Sequence, residues 1–204
     1  MKSKNLWIFA AATVGLVLSV QAAYAVGDPE EGKKKFFTCA GCHAIEGYSN
    51  AVPNYPVPRI GGQHPESVLA ALKSYQEGSR KHGSMEGNAN GWSEKDLQDL
   101  AAYVSKKVLS TETNSISGNP KAGKDKAAIC SSCHGEDGNS KDPGFPRLAG
   151  QYEVYLSKAL ADYKKGIRKN AIMNGLAESL SAKEIKDVSA YYASQKAGLT
   201  TISE

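Results

Sequence analysis

The pentapeptide Cys39-Ala40-Gly41-Cys42-His43 recurs 91 positions further along the chain as Cys130-Ser131-Ser132-Cys133-His134. Both copies have the pattern C-x-x-C-H, which is the attachment signature of c-type haem. Two thiols three positions apart at a helix end can reach the two vinyl groups on one porphyrin edge and form thioethers. The histidine that follows then lies beneath the ring and gives a nitrogen to the iron. The repeated motif therefore predicts two covalently bound haem c groups, one in each half.

Two other uses of a C-x-x-C pair are a redox dithiol and half of a zinc site. Neither requires a histidine directly after the second cysteine, yet both copies have one. A zinc site would also have to join the two copies across an offset of 91 residues, which is a strained arrangement. Haem attachment would use all four cysteines of the chain and leave none for disulfides.

The repeat extends well beyond the cysteine motifs, and its offset changes once. Asp28-Pro29 recurs as Asn119-Pro120 at the offset of 91, whereas Pro58–Gln63 recurs as Pro146–Gln151 at an offset of 88. The first half therefore carries three extra residues within positions 44–57, and everything downstream keeps register. The chain is predicted to be a tandem repeat of two similar domains.

The domain boundaries are predicted from composition. Residues 1–25 have a positive start, an apolar run and the small-x-small end Ala23-Tyr24-Ala25, which is the pattern of a cleaved export signal. The alternative is an uncleaved anchor, but the apolar run is shorter than the roughly 20 residues that a spanning helix needs. Residues 110–118 are rich in Ser, Thr and Asn and are the predicted linker. The predicted domains are residues 26–109 and 119–204.

Each half is predicted to contain three main helices. The first begins after Asp28 or Asn119, where an N-cap residue is followed by proline at the first helical position. The second covers about 66–77 in one half and 152–165 in the other. The third opens with a capping-box pattern at Ser93 and again at the repeated position. No run alternates with a period of two, so the fold class is predicted to be all-α, wrapped around two cofactors.

Each half also offers one methionine as the second axial ligand of its iron. Met85 and Met173 are the two methionines that remain after removal of the export signal, and they share the offset of 88. A methionine is otherwise plastic core filling, but both lie in Gly- and Asn-rich segments that are predicted to be loops. His82 is a competing nitrogen ligand because it lies three residues before Met85. The expected axial pairs are His43 with Met85, and His134 with Met173.

Filled axial positions leave no open site for oxygen or peroxide, and thioether ligation raises the reduction potential. This combination favours one-electron transfer over a haem enzyme such as a peroxidase. The backbone carbonyls of Pro58 and Pro146 are candidates to accept the second ring N–H of the two histidines. Arg59 and Arg147 are candidates to pair with haem propionates, and the alternative for each is a solvated surface charge.

The chain resembles the di-haem cytochrome c4 family, within the class I cytochrome c fold. The resemblance covers residues 26–197 and is closest over 144–151 and 190–195. It implies two cytochrome c domains related by a pseudo-twofold axis, with haem propionates near the interface and electron exchange between the haems. It also implies a periplasmic carrier that feeds a terminal oxidase or a similar acceptor. The first half departs more from the family pattern, through its insertion and its unusual residues 81–84.

Two functions remain open at this point. One is a free shuttle of single electrons between respiratory redox proteins. The other is a haem-bearing, electron-accepting subunit of a periplasmic dehydrogenase, such as a flavoprotein sulfide dehydrogenase. The expected location is the periplasm, either free or loosely associated with the membrane. No small-molecule substrate is expected. The formal charge of +4, from 25 basic and 21 acidic residues, is too weak to indicate a nucleic-acid partner.

A local cluster of basic residues lies at the end of the second predicted helix of the second half and just after it, before Met173. Electrostatics sets the encounter rate and orientation of protein partners. The cluster therefore has two interpretations, a solvated helix end or a docking site for an acidic redox partner near the second haem. Its members are Lys164, Lys165, Arg168 and Lys169.

Overall fold

A computed structural model of the chain describes residues 27–52, 54–106 and 114–202. The predicted export signal and residues 110–113 of the predicted linker lie outside this part of the chain. Its regular structure consists of helices, with two isolated bridge pairs and no strand in the described ranges. The predicted all-α fold class is therefore confirmed. None of the described helices is both long enough and apolar enough to cross a membrane.

The helices follow the same order in both halves. Those of the first half are α1 (Pro29–Lys35), α2 (Phe37–His43), α3 (Pro65–Gln76), α4 (Gly83–Asn90) and α5 (Glu94–Ser105). Those of the second half are α6 (Pro120–His134), α7 (Glu153–Lys164), α8 (Ala171–Glu178) and α9 (Ala182–Ala193). A break at Phe36 divides α1 from α2, whereas the corresponding stretch of the second half is the single helix α6.

The loops predicted around the two methionines are helices, α4 and α8, so this prediction was wrong. The Nδ1 atom of His82 accepts the backbone N–H of Met85 at 3.4 Å, and the Oδ1 atom of Asn170 accepts that of Met173 at 3.0 Å. These side chains satisfy N–H groups that the first turn of a helix leaves without partners. Each cap holds a helix whose Gly and Asn content favours a loop.

The first and last helices of each half cross at a glycine. A Cβ atom on Gly32 would come within 2.0 Å of the carbonyl oxygen of Asp99, and one on Gly123 would come within 1.9 Å of that of Asp187. The backbones of α1 and α5, and of α6 and α9, therefore approach too closely for any side chain at the crossing. The buried Asp99 carboxylate accepts the N–H of Asp28, and Asp187 accepts that of Asn119.

The two halves are joined by a reciprocal pair of glutamine contacts. The side-chain amide of Gln151 accepts the backbone N–H of Arg59 at 3.0 Å and donates to its carbonyl oxygen at 2.8 Å. Gln63 does the same to Arg147, at 2.9 and 3.0 Å. Each glutamine side chain thus forms two hydrogen bonds to the backbone of one residue in the other repeat, as a neighbouring β-strand would. Two equivalent contacts made in opposite directions are what a pseudo-twofold arrangement of the repeats produces.

Candidate haem sites

One continuous cavity of about 720 Å³ lies between the two halves of the protein. Its walls are mainly apolar and come from both repeats. They include every residue that the sequence analysis assigned to haem attachment or iron ligation. These residues are Cys39, Cys42, His43, Met85, Cys130, Cys133, His134 and Met173.

Cys39 and Cys42 lie in α2, and Cys130 and Cys133 lie near the end of α6. Cys39 packs against the apolar core of the first half, and Cys130 packs against that of the second. Burial raises the pKa of both thiols. Among the described residues, no three His, Cys, Asp or Glu side chains are close enough to hold a metal ion together. The two cysteine pairs therefore do not combine into one zinc site.

The two histidines are buried and oriented by backbone carbonyl groups. The Nδ1 atom of His43 lies 3.0 Å from the carbonyl oxygen of Pro58, and that of His134 lies 2.8 Å from the carbonyl oxygen of Pro146. A carbonyl oxygen only accepts hydrogen bonds, so Nδ1 carries the proton and Nε2 keeps its lone pair. Burial lowers the pKa of both histidines, against the opposing effect of these hydrogen bonds. Each imidazole is thus neutral and suited to bind a metal through Nε2.

The methionines occupy equivalent positions in the first turns of α4 and α8. Both side chains line the cavity with the histidine of the same half. His82 also lines the cavity, but its Nδ1 atom accepts the N–H of Met85 and so acts as a helix cap. A neutral imidazole nitrogen and a thioether in each half would together hold the iron of one haem. The residues present therefore fit two c-type haems.

Arg59 and Arg147 also lie in the cavity wall. Arg59 is buried, and its guanidinium pairs with the carboxylate of Glu46, donates to the carbonyl oxygen of Gly150 at 2.7 Å and lies 4.5 Å from the centre of the Tyr152 ring. Arg147 is half-buried, and its backbone is held by Gln63. Pairing of these two arginines with haem propionates stays a prediction.

Two further arginines near the cavity were not identified as site residues from the sequence. The guanidinium of Arg80 lies 4.8 Å from the centre of the Tyr75 ring, and that of Arg168 lies 4.6 Å from the centre of the Tyr163 ring. The two pairs are related by the offset of 88. The repetition of this Tyr/Arg pair in both halves is the sequence signal that identifies them. The basic cluster alone gives no reason to single out Arg168.

Two helical domains in tandem, each with the attachment and ligand set of one haem, define a di-haem c-type cytochrome. The Cytochrome c domain family matches residues 29–107 and 121–196. Cytochrome c4 of Thiocapsa roseopersicina is 33% identical over 187 residues, which cover 83% of this chain and 94% of that relative. The chain belongs to the cytochrome c4 family. It carries two covalently bound haem c groups and is an electron carrier, not an enzyme.

Other comparisons extend this result. Cytochrome c4 of Pseudomonas aeruginosa is 52% identical over 79 residues, which span 39% of each chain. The crystal structure of reduced recombinant cytochrome c4 from Pseudomonas stutzeri superimposes with a TM-score of 0.68 and 32% identity, covering 85% of this chain and all of that one. A thiosulfate dehydrogenase electron acceptor of Thiomonas intermedia is 42% identical over 72 residues, covering 35% of this chain and 33% of its own.

Proposed function

We propose that this carrier shuttles single electrons between redox proteins of the periplasm and delivers them toward a membrane-bound terminal oxidase. The observation that carries the proposal is the shared cavity, to whose wall each half contributes the histidine of its C-x-x-C-H motif and one methionine. Two protein ligands for each iron leave no position for a small substrate. When bound, the haems supply two one-electron couples within one shared cavity.

The protein's own residues keep these couples in a fixed environment. The carbonyl groups of Pro58 and Pro146 fix the orientation of the two imidazoles. The caps His82 and Asn170 fix the backbone from which the two thioethers extend. None of these contacts involves a group that must gain or lose a proton when an electron arrives. The ligand set can therefore stay in place during repeated oxidation and reduction.

The proposed location rests on the predicted export signal over residues 1–25. Thioether formation at all four cysteines also suits an exported protein, because it leaves no thiol to form an unwanted disulfide in an oxidising compartment. The donor and acceptor are then other exported or membrane-bound redox proteins.

The two haem sites differ in the residues at their exposed edge, which supports different partners at the two ends. In the second half, Ile129 and Ile172 line the cavity mouth beside Cys130 and Met173 and are 56% and 64% exposed. The equivalent residues in the first half are the polar Thr38 and Ser84, at offsets of 91 and 88. An exposed apolar pair beside a redox centre suits the centre of a protein interface.

The basic cluster near this edge is smaller than the sequence suggested. Lys164 donates to the carbonyl oxygen of Glu178 at 2.9 Å, and Arg168 stacks on Tyr163, so both have structural contacts. Lys165 and Lys169 remain exposed. These two lysines would guide an acidic partner toward the apolar pair, because surface charge mainly affects the encounter rate.

The test is the oxidation of the reduced holoprotein by oxidase-containing membranes of the bacterium that produces it. We expect rapid oxidation that slows as salt screens surface charge, and that slows further when Ile129 and Ile172 are both replaced by threonine. Val52→Thr is the matched control, since Val52 is 89% exposed and lies outside the cavity wall. Oxidation no faster than in heat-inactivated membranes would exclude the oxidase as the electron acceptor. Equal oxidation rates for the double variant and the control would exclude the edge at Ile129 and Ile172 as the docking site.

A second candidate function is electron acceptor of a periplasmic dehydrogenase. The similarity to a thiosulfate dehydrogenase electron acceptor favours a sulfur-oxidising enzyme over the flavoprotein sulfide dehydrogenase first considered. The test is reduction of the oxidised holoprotein by purified thiosulfate dehydrogenase with thiosulfate. Reduction within the turnover time of the enzyme, together with stable co-purification, would support a dedicated subunit over a diffusing shuttle.

A further inference from the structure

Arg80 and Arg168 occupy equivalent places in the two repeats. Each guanidinium lies over a tyrosine ring of its own half, Tyr75 or Tyr163, at 4.8 and 4.6 Å. All four residues line the cavity that the two halves share. An arrangement that recurs at both sites, on the cavity side of each half, belongs to the environment of the cofactors.

The two arginines meet at one residue of the domain interface. The Nη2 group of Arg80 donates to the hydroxyl oxygen of Tyr155, and the guanidinium of Arg168 lies beside the same hydroxyl group. Burial opposes ionisation of Tyr155, but the two guanidinium groups outweigh it and lower its pKa. Two positive charges from different domains thus converge on a neutral hydroxyl group.

Neither arginine has a carboxylate partner among the described residues. The ion pairs of that part of the chain involve other cations, and Asp162, the acidic residue nearby, pairs with Lys158. His82 and Lys158 line a smaller pocket together with the two arginines and supply no negative charge. Two half-buried cations brought together without an anion are unfavourable. The cluster requires negative charge from a group in the cavity.

We propose that Arg80 and Arg168 receive haem propionates at the domain interface. A propionate is a carboxylate, and the planar guanidinium group binds carboxylates through two parallel hydrogen bonds. Arg59 differs because Glu46 already supplies a carboxylate to its guanidinium. The inference does not depend on which protein donates or accepts electrons, since it concerns only how the charge of the two cofactors is neutralised.

The experiment is a redox titration of the holoprotein at several pH values for Arg80→Gln and Arg168→Gln. Loss of a cation beside a propionate leaves a negative charge that favours the ferric state. We expect about a tenfold shift of the one-electron equilibrium toward ferric haem, which is about 59 mV in midpoint potential. The potential should also become dependent on pH, because the propionate pKa rises without its partner. Lys81→Gln is the control, since it removes the same charge from an exposed neighbour of Arg80.

Arg80→Lys and Arg168→Lys keep the charge and test the role of charge even if the glutamine variants fail to accumulate holoprotein. We expect the lysine variants to keep potentials close to those of the parent protein, with little dependence on pH. Potentials in the glutamine variants that equal those of Lys81→Gln would overturn the proposal. Lysine variants with potentials as low and as pH-dependent as we expect for the glutamine variants would also overturn it, because positive charge would then not be the property that matters.

Discussion

The backbone N–H of Ile202 donates to the carbonyl oxygen of His43 at 3.2 Å, so the end of the second half contacts the haem-ligand residue of the first. The chain arrives there after Thr200 exchanges two backbone hydrogen bonds with Gly61, at 2.9 and 3.0 Å. The Ile202 side chain is fully buried in the core of the first half, with Phe36 as one of its neighbours. The C-terminal segment therefore packs into the core of the first half, next to His43.

Ile202→Ala should destabilise the first domain more than the second. Truncation of a buried isoleucine to alanine typically costs about 2–5 kcal/mol, and here the lost contacts lie next to His43. The measurement is urea unfolding of the holoprotein, followed by the absorbance of the two haems. Thr200→Ala is the control because it preserves the backbone pairing with Gly61. Equal unfolding midpoints for the two variants would contradict the structural role of Ile202.

The sequence predicts local features of this molecule well and long-range ones poorly. The capping boxes at Ser93 and Ser181 were predicted from four-residue patterns, and both are present. Contacts such as Ile202 with His43 join residues that lie 159 positions apart, and no local pattern marks them. The helices around Met85 and Met173 differ from the predicted loops for another reason, because His82 and Asn170 cap them and Glu86 and Asn174 accept the N–H groups of these two capping residues in return.

The candidate haem sites show the same contrast between local features, which the sequence predicts, and long-range contacts, which it does not. The spacing of each C-x-x-C-H motif identifies the attachment residues because the chemistry is local, and the repeat identifies the methionines by their common offset. The convergence of Arg80 and Arg168 on Tyr155 depends on how the two domains face each other. That relationship follows from the reciprocal contacts of Gln63 and Gln151, which a single sequence does not reveal as an interface.

Gly32→Ala should strongly destabilise the protein because the new methyl group would overlap the backbone of α5. The nearest atom, the carbonyl oxygen of Asp99, would lie 2.0 Å from the added Cβ. Overpacking of a close-packed interior typically costs about 1–3 kcal/mol, and a rigid backbone neighbour favours the upper end. Gly91→Ala is the control, since nothing lies within 4 Å of its added Cβ. The midpoint of thermal unfolding should be lower for Gly32→Ala than for Gly91→Ala. Similar midpoints would contradict the close approach of α1 and α5 at Gly32.

Asp99 should make stability fall at acid pH. Burial opposes ionisation of this carboxyl group, but hydrogen bonds from Lys35, Lys95 and the N–H of Asp28 lower its pKa from 3.8 to about 2. A pKa that is lower in the folded state stabilises the protein above the unfolded value of 3.8, and this stabilisation is lost as pH falls from there toward about 2. Asp187 should contribute in the same direction in the second half.

Asp99→Asn should therefore lower the free energy of unfolding by about 1–3 kcal/mol near neutral pH and by less in acid. The measurement is urea unfolding of both proteins at neutral pH and near pH 3. Asp125→Asn is the control because Asp125 is exposed. A destabilisation by Asp99→Asn that is the same at both pH values would mean that the charge of Asp99 is not what stabilises the fold.

Carbon monoxide should not bind to the reduced holoprotein, because both irons are expected to keep two protein ligands. Met85→Ala and Met173→Ala should each open one haem and produce a carbon monoxide difference spectrum of about half the amplitude of the double variant. His82→Asn separates the two candidate ligands of the first haem. Asparagine caps the equivalent helix at Asn170, so this substitution should preserve α4 and leave the spectrum unchanged. Carbon monoxide binding by His82→Asn, without binding by Met85→Ala, would assign His82 as the ligand and displace Met85.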